Sequence, residues 1–170
     1  MPRERLTERL RLEPITRGHA RDLFTLMNDD GVAHWYGGAW STDEAERFAT
    51  AAERAWGADG VHKWMAYDRA SRELIGRGGL SRVHVDGARR LEVGWAVRDR
   101  FWGQGFASEI GRAALAFAFG DLNADEVVAY TEPHNVRSRA VMERIGMRYA
   151  RDITHEGTRF VLYVASRPQA

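Results

Sequence analysis

The spacing of apolar residues changes period several times along this chain. Leu10 and Leu12 alternate with charged neighbours between Arg9 and Pro14, the pattern of a half-buried strand. Ala20, Leu23, Phe24 and Met27 then fall at helical spacing and predict a first helix. Ser41-Thr42-Asp43-Glu44 places a hydroxyl and a carboxylate three residues apart, a capping box able to satisfy orphan backbone N–H groups, and Ala45, Phe48, Ala49 and Ala52 continue one helical face beyond it. From Lys63 the period becomes two, with strand-like runs over 64–67, 74–80 and 91–97. The polar segment 68–72 and the pair Asp86-Gly87 separate them, connections short enough to make the three strands antiparallel neighbours.

Helical spacing returns over 108–119, where Ile110, Ala113, Ala114, Phe117 and Ala118 share a face, Glu109 suits the first turn of the dipole, and Gly120 is the expected C-terminal cap. A short buried strand over 127–131, an amphipathic helix over 135–145 stopped by Gly146, and two final strands near 147–151 and 159–165 complete the order β-α-α-β-β-β-α-β-α-β-β, an α+β class.

No Gly/Ser-rich or Pro-rich stretch and no repeat divides the 170 residues, so a single domain over 1–170 is expected, with 44% hydrophobic content sufficient for its core. The 25 Lys and Arg nearly cancel the 24 Asp and Glu, which argues against nucleic acid or an anionic membrane as partner. The absence of cysteine excludes disulfides and a thiolate nucleophile, and the charged N-terminus and lack of a long apolar run lead to the expectation of a cytoplasmic protein. The six histidines show no ligand spacing, so no metal site is expected.

The stretch that carries chemistry is Trp95-Ala96-Val97 followed by Arg100-Phe101-Trp102-Gly103-Gln104-Gly105-Phe106-Ala107-Ser108, a strand running through a glycine turn into a helix. Glycines let backbone approach an anion closely, and the first N–H groups of a helix point at it, so a pyrophosphate is the natural occupant. This stretch resembles the signature Arg/Gln-x-x-Gly-x-Gly/Ala of the GNAT superfamily of N-acetyltransferases, whose positions fall here on Trp102, Gly105 and Ala107. The aromatic Trp102 and the Gly103-Gln104 after it resemble the branch of ribosomal-protein alanine N-terminal acetyltransferases. So does a second motif, Thr131-Glu132-Pro133-His134-Asn135-Val136-Arg137-Ser138 with Val141-Met142-Glu143-Arg144-Ile145-Gly146-Met147.

The resemblance implies a three-layer fold with a mixed, mostly antiparallel central sheet, a strand pair splayed at the cofactor site and about four helices. It implies direct transfer of an acetyl group from acetyl-CoA to a primary amine, a small molecule or a protein N-terminus, and the possibility of a homodimer. Trp95, Ala96 and Val97 would lie along the pantetheine, with Gly94 suited to a bulge. Gln104, Phe106 and Ser108 would serve the pyrophosphate, and Arg100, Arg137 and Arg139 are candidates for the 3′-phosphate. Asn135 would touch the pantetheine and Ser138 the thioester sulfur. Many members carry a tyrosine acid seven residues after that asparagine, where this chain has Met142, which leaves Ser138 or water to reprotonate the thiolate. Glu92, in the strand leading to the acetyl site, is the first choice of base, against a plain surface pairing with Arg89 or Arg90. On the acceptor side the resemblance points to Trp35, Tyr36, Trp40, Trp56 and the histidines His84, His134 and His155, with core cover the competing role for each aromatic.

Two other readings fit parts of the pattern. Gly103-x-Gly105-x-x-Ser108 nearly matches a dinucleotide fingerprint, but hairpins precede it where a βαβ unit is required. A non-catalytic acyl-CoA-binding module would keep the turn and lose turnover, and Met142 is the one feature in its favour.

Overall fold

The structure, a computed structural model, describes residues 2–169. Among them eight strands and five α-helices follow in the order β1 (Arg5–Leu6), β2 (Leu10–Pro14), α1 (Ala20–Met27), α2 (Asp30–Trp35), α3 (Thr42–Asp59), β3 (Lys63–Asp68), β4 (Leu74–Val85), β5 (Ala88–Val97), α4 (Phe106–Ala116), β6 (Glu126–Thr131), α5 (Val136–Arg144), β7 (Arg148–His155) and β8 (Thr158–Ser166). The capping box of α3 closes in both directions: Glu44 N–H donates to Ser41 Oγ at 3.1 Å, and Ser41 N–H donates to Glu44 Oε2 at 2.7 Å. Gly60 ends the same helix in the left-handed region.

Three features differ from the sequence reading. β1 has only two residues, too few for alternation to show. α2 is a fifth helix where about four were expected; its six residues are started by Asp29, whose carboxylate accepts from Val32 N–H at 3.3 Å. Gly120 does not cap α4. It lies inside a π-helical turn, Phe117–Asp121, closed by Leu122 N–H on the Phe117 carbonyl at 3.0 Å, and Asn123 takes the positive φ, 55°, that a capping glycine would have taken.

The chain divides into two compact units, residues up to Gly79 with Trp95–Ala107, and Leu80–Gly94 with the residues from Ser108 on. In the first, β1, β2, β3 and the start of β4 are joined in that order and all antiparallel, with Leu12 opposite Ala66 and Met65 opposite Arg77. Its core gathers Ile15, Leu23, Leu26 and Met27 with Ala45, Ala49 and Ala52 of α3 and Met65 of β3, so α1 and α3 cover one face of these strands. The alanines let α3 lie close. In the second unit β6 pairs antiparallel with β8, and β8 with β7, while β5 meets β6 in parallel at Glu92 opposite Val128. Val85, Val128, Ile153 and Leu162 form the core there. No helix of the described residues is long and apolar enough to cross a membrane.

Candidate active site

After β5 the chain makes one 3₁₀ turn, Asp99–Phe101, and then the glycine turn that opens α4. Gly103 and Gly105 stand at φ 75° and 83°, where a side chain is strained, and a Cβ on Gly103 would meet nothing within 4 Å. That side of the turn is open. Trp102 does not face that space with its indole N–H, which donates to the Val97 carbonyl at 2.8 Å. The far edge of its ring lies against Gly31 of α2, where a Cβ would come within 2.8 Å of it. The aromatic at this position therefore fastens the turn to α2.

Arg9 was not singled out in the sequence, and it reaches the same turn. Its Nη1 donates to the Gln104 carbonyl at 2.9 Å, its guanidinium lies 4.1 Å from the centre of the Phe106 ring, and its Nη2 would stand 3.5 Å from a Cβ on Gly105. Ninety-five residues separate Arg9 from Gln104, so no local pattern could have paired them. Gln104 donates its side-chain amide to the Arg100 carbonyl at 3.3 Å, and Arg100 itself is ion-paired with Glu73. Phe106 is buried and packs edge-on against Phe101, and Ala107 is half-buried. Ser108, in the first turn of α4, is 2% exposed, and its hydroxyl has no hydrogen-bond partner among the described residues.

The strand before the turn is held tightly in the first unit. Tyr36 donates its hydroxyl to the Trp95 carbonyl at 2.9 Å, so a side chain from the acceptor candidates meets a residue of the cofactor candidates. The Ala96 carbonyl faces Gly76 of β4, where a Cβ would sit 2.1 Å from it. Trp35, one of the acceptor-side candidates, ends α2 and is half-buried. Tyr36 is exposed, while Trp40 turns inward onto Phe48. Trp56 is buried, its N–H donating to the Lys63 carbonyl at 3.0 Å, which is core cover. Beside these rings His62 is pushed down to about 4 by burial and by the charges of Lys63 and Arg77. Tyr67 is pushed well above the usual phenol range by burial and by its hydrogen bond to Asp22.

In the second unit Glu92 is half-buried and accepts a hydrogen bond from Ser81 Oγ at 3.1 Å. Arg90, one of the arginines that competed for it, pairs with Glu126. Asn135 is the N-cap of α5: its Oδ1 accepts from Ser138 N–H at 3.2 Å and its Nδ2 donates to Thr131 Oγ1 at 3.1 Å. Asn135 and Ser138 thus stand together, and Met142 is buried beyond them. Arg139 donates to the Tyr163 hydroxyl at 3.2 Å and to the Pro133 carbonyl at 2.9 Å, while Tyr163 donates to Glu143. These bonds join α5 to β8. Arg137 and His84 are exposed. Among the described residues no three His, Cys, Asp or Glu side chains group to hold a metal.

A strand, a left-handed glycine turn and a helix in sequence is a layout that suits the phosphates of a coenzyme. The model of the family described as "Acetyltransferase (GNAT) domain" matches residues 9–148, and the chain belongs to that family. It is an acetyl-CoA-dependent N-acetyltransferase. The chain is 30% identical over 149 residues to the uncharacterized protein YkkB of Bacillus subtilis, covering 87% of each. It is 31% identical over 171 residues to FsC-acetyl coenzyme A-N(2)-transacetylase of Aspergillus fumigatus, covering 95% of this chain and 69% of that one. The ribosomal-protein-S5-alanine acetyltransferase of Vibrio fischeri shares the fold, with TM-score 0.81 at 13% identity over 97% of each chain.

Proposed function

We propose that this chain moves an acetyl group from acetyl-CoA directly to a primary amine, with residues 1–170 acting as one catalytic domain. The observation that carries the reading is the open left-handed turn at Gly103 and Gly105, set at the start of α4 with Arg9 beside it. Backbone N–H groups at a helix start and an adjacent guanidinium suit a pyrophosphate. Ser108 fits the same group, since a buried hydroxyl without a partner is relieved by a ligand oxygen. The family match supports one domain because it runs through both compact units.

When bound, acetyl-CoA supplies an already activated thioester, so no covalent enzyme nucleophile is needed. Trp95, Ala96 and Val97 offer backbone to its pantetheine arm, and the first two of these carbonyls are positioned by Tyr36 and by the close approach of Gly76. Trp102 and Phe106 hold the turn in shape, Gly103, Gln104, Gly105 and Ala107 present their backbone, and Arg100 and Arg139 are the candidate 3′-phosphate partners. Each of these two arginines must first leave or share a partner: Glu73 for Arg100, Tyr163 and the Pro133 carbonyl for Arg139. Asn135 orders the start of α5, from which Ser138 offers a hydroxyl to the leaving thiolate. Glu92, oriented by Ser81, takes the proton from the attacking amine. Trp35, Tyr36, Trp40 and His84 are the acceptor-side candidates. Calorimetric titration with acetyl-CoA tests the reading: binding that Gly105→Glu abolishes is the expected result, and no binding of millimolar acetyl-CoA by the intact chain overturns it.

A further inference from the structure

The sheet register brings two cations onto a face that is otherwise apolar. Met65 pairs with Arg77 and Lys63 with Gly79, so Lys63, Met65 and Arg77 project to the same side of β3 and β4. Met65 belongs to the core beneath α1 and α3, yet Lys63, the only lysine of the chain, and Arg77 are 8% and 6% exposed on that side. Lys63 Nζ donates to the Gly79 carbonyl at 3.2 Å. The Arg77 guanidinium is walled by aromatic faces, 4.6 Å from the ring centre of Phe48, 5.3 Å from Tyr36 and 5.7 Å from Trp40. Charges this deep are held by their surroundings, Lys63 by the Gly79 carbonyl and Arg77 by the ring faces among its contacts.

We infer that the amine acceptor also carries a carboxylate, and that Arg77, with Lys63 behind it and Tyr36, Trp40 and Phe48 around it, receives that carboxylate. The inference rests on the acetyl-transfer reading and narrows it to a substrate class. The planar guanidinium matches a carboxylate in two parallel hydrogen bonds, and the flanking rings suit the apolar body of an amino acid. Tyr36 ties this pocket to the chemistry, because its ring faces Arg77 while its hydroxyl holds the Trp95 carbonyl on the strand assigned to the acetyl donor. An acceptor reaches Arg77 only if Tyr36 and Trp40 part, and Gly37-Gly38 between them, both at positive φ with nothing within 4 Å of an added Cβ, are the positions at which the chain gives. The proton affinity of His62 is lowered first by burial and then by the charges of Lys63 and Arg77, so an anion set against those two cations would raise it.

The test compares matched acceptors: L-phenylalanine with L-phenylalaninamide, and β-alanine with β-alaninamide, followed by release of CoA thiol. The amides have the less basic and hence more available amines, so preference for the acids cannot come from basicity. The wild type is expected to favour each acid in kcat/KM by at least about 30-fold, and Arg77→Met to reduce that ratio to about one. Arg77→Lys, which keeps the charge, retains part of the preference and serves where Arg77→Met does not fold. Equal or better use of the amides by the wild type overturns the inference, and so does an unchanged preference in Arg77→Met. A second arm needs no turnover. The His62 imidazole resonances, assigned with His62→Gln, are followed at pH 5, where L-phenylalanine is expected to shift them toward the protonated form and L-phenylalaninamide is not. Unmoved resonances with L-phenylalanine overturn the inference, while acetyl-CoA calorimetry on the same sample decides the acetyl-transfer reading separately.

Discussion

Replacing Gly76 by alanine isolates one steric contact at the heart of the proposed acetyl strand. The added methyl would stand 2.1 Å from the Ala96 carbonyl oxygen, 2.9 Å from Val97 Cα and 3.0 Å from the Ala96 carbonyl carbon, all backbone atoms. An ordinary contact requires the strands to part by about 1 Å. They are fastened where they would have to move: Arg98 N–H donates to the Ile75 carbonyl at 2.9 Å, Arg98 Nη1 to the Leu74 carbonyl at 3.2 Å, and Trp102 and Tyr36 hold the carbonyls of Val97 and Trp95. Overpacking against side chains costs about 1–3 kcal/mol, and backbone that cannot rotate away puts this site at about 3 kcal/mol or above.

For a chain of this size each kcal/mol lowers the melting temperature by about 2–4 °C, so Gly76→Ala is expected to melt about 6–12 °C below the wild type by circular dichroism. Gly87→Ala is the matched control. Its φ of 78° strains an alanine, but a Cβ there meets nothing within 4 Å, which leaves only the backbone strain of about 1 kcal/mol. A Gly76→Ala protein melting within about 3 °C of the wild type, or a Gly87→Ala protein damaged as badly, would refute the steric argument. Displacing Ala96 and Val97 should also weaken acetyl-CoA binding at least about tenfold, read by calorimetry at a temperature where the variant is folded.

Ser41→Ala removes one half of the capping box that starts α3 and should cost about 1 kcal/mol, a fall of about 2–4 °C in melting temperature. His62 has its proton affinity lowered from 6.5 to about 4 by burial, Lys63 and Arg77, so between those values the unfolded chain binds the extra proton. Its contribution is intact above pH 6.5 and lost as the pH falls toward 4, up to about 2 kcal/mol by pH 5. Urea unfolding at pH 7.5 and 5 should show His62→Gln with a smaller loss than the wild type, and equal losses would contradict it. Gly31→Ala places a Cβ 2.6 Å from Asp99 Cβ and 2.8 Å from the Trp102 ring, a smaller overlap than the 2.1 Å approach to a carbonyl oxygen at Gly76. Its melting temperature should fall less than that of Gly76→Ala, by about 2–6 °C, while acetyl-CoA affinity drops, because the ring that must move shapes the glycine turn.

The elements that the sequence made legible were those whose signal is local. The capping box at Ser41 and Glu44, the period-two runs after Lys63 and the glycine turn after β5 each contain within a few residues the physics that forms them. α2 was not legible, because six residues do not show a helical period and Gly31 within them argues against a helix. The reason for that glycine lies 71 residues away in the Trp102 ring that a side chain would strike. Gly120 misled for a related reason: a glycine after an amphipathic run suggests a cap, but the helix first widens into a π turn and ends at Asn123. Arg9 reads as one more charge at the start of the first strand until the fold sets it on Phe106. In the same way Arg77 reads as a polar interruption of a strand, and only the register with Met65 shows that it faces the core.

The departure at Trp102 from the family's Arg/Gln gains a physical account from these contacts. Asp29 Oδ1 accepts from Val32 N–H at 3.3 Å, starting α2, and from Asp99 N–H at 3.2 Å, holding the turn that leads to Gly103. Trp102 then closes the arrangement by donating to the Val97 carbonyl and lying on Gly31. A polar side chain at position 102 could make the hydrogen bond but could not fill the space over Gly31, and a residue larger than glycine at 31 would exclude the indole. The two positions therefore constrain each other. Since α2 ends at Trp35 and leads into Tyr36, the same contact that shapes the coenzyme turn also fixes the base of the aromatic segment around Arg77. Donor and acceptor sides of the proposed reaction thus share one small helix as their support, and a change that loosens it should be felt in both affinities at once.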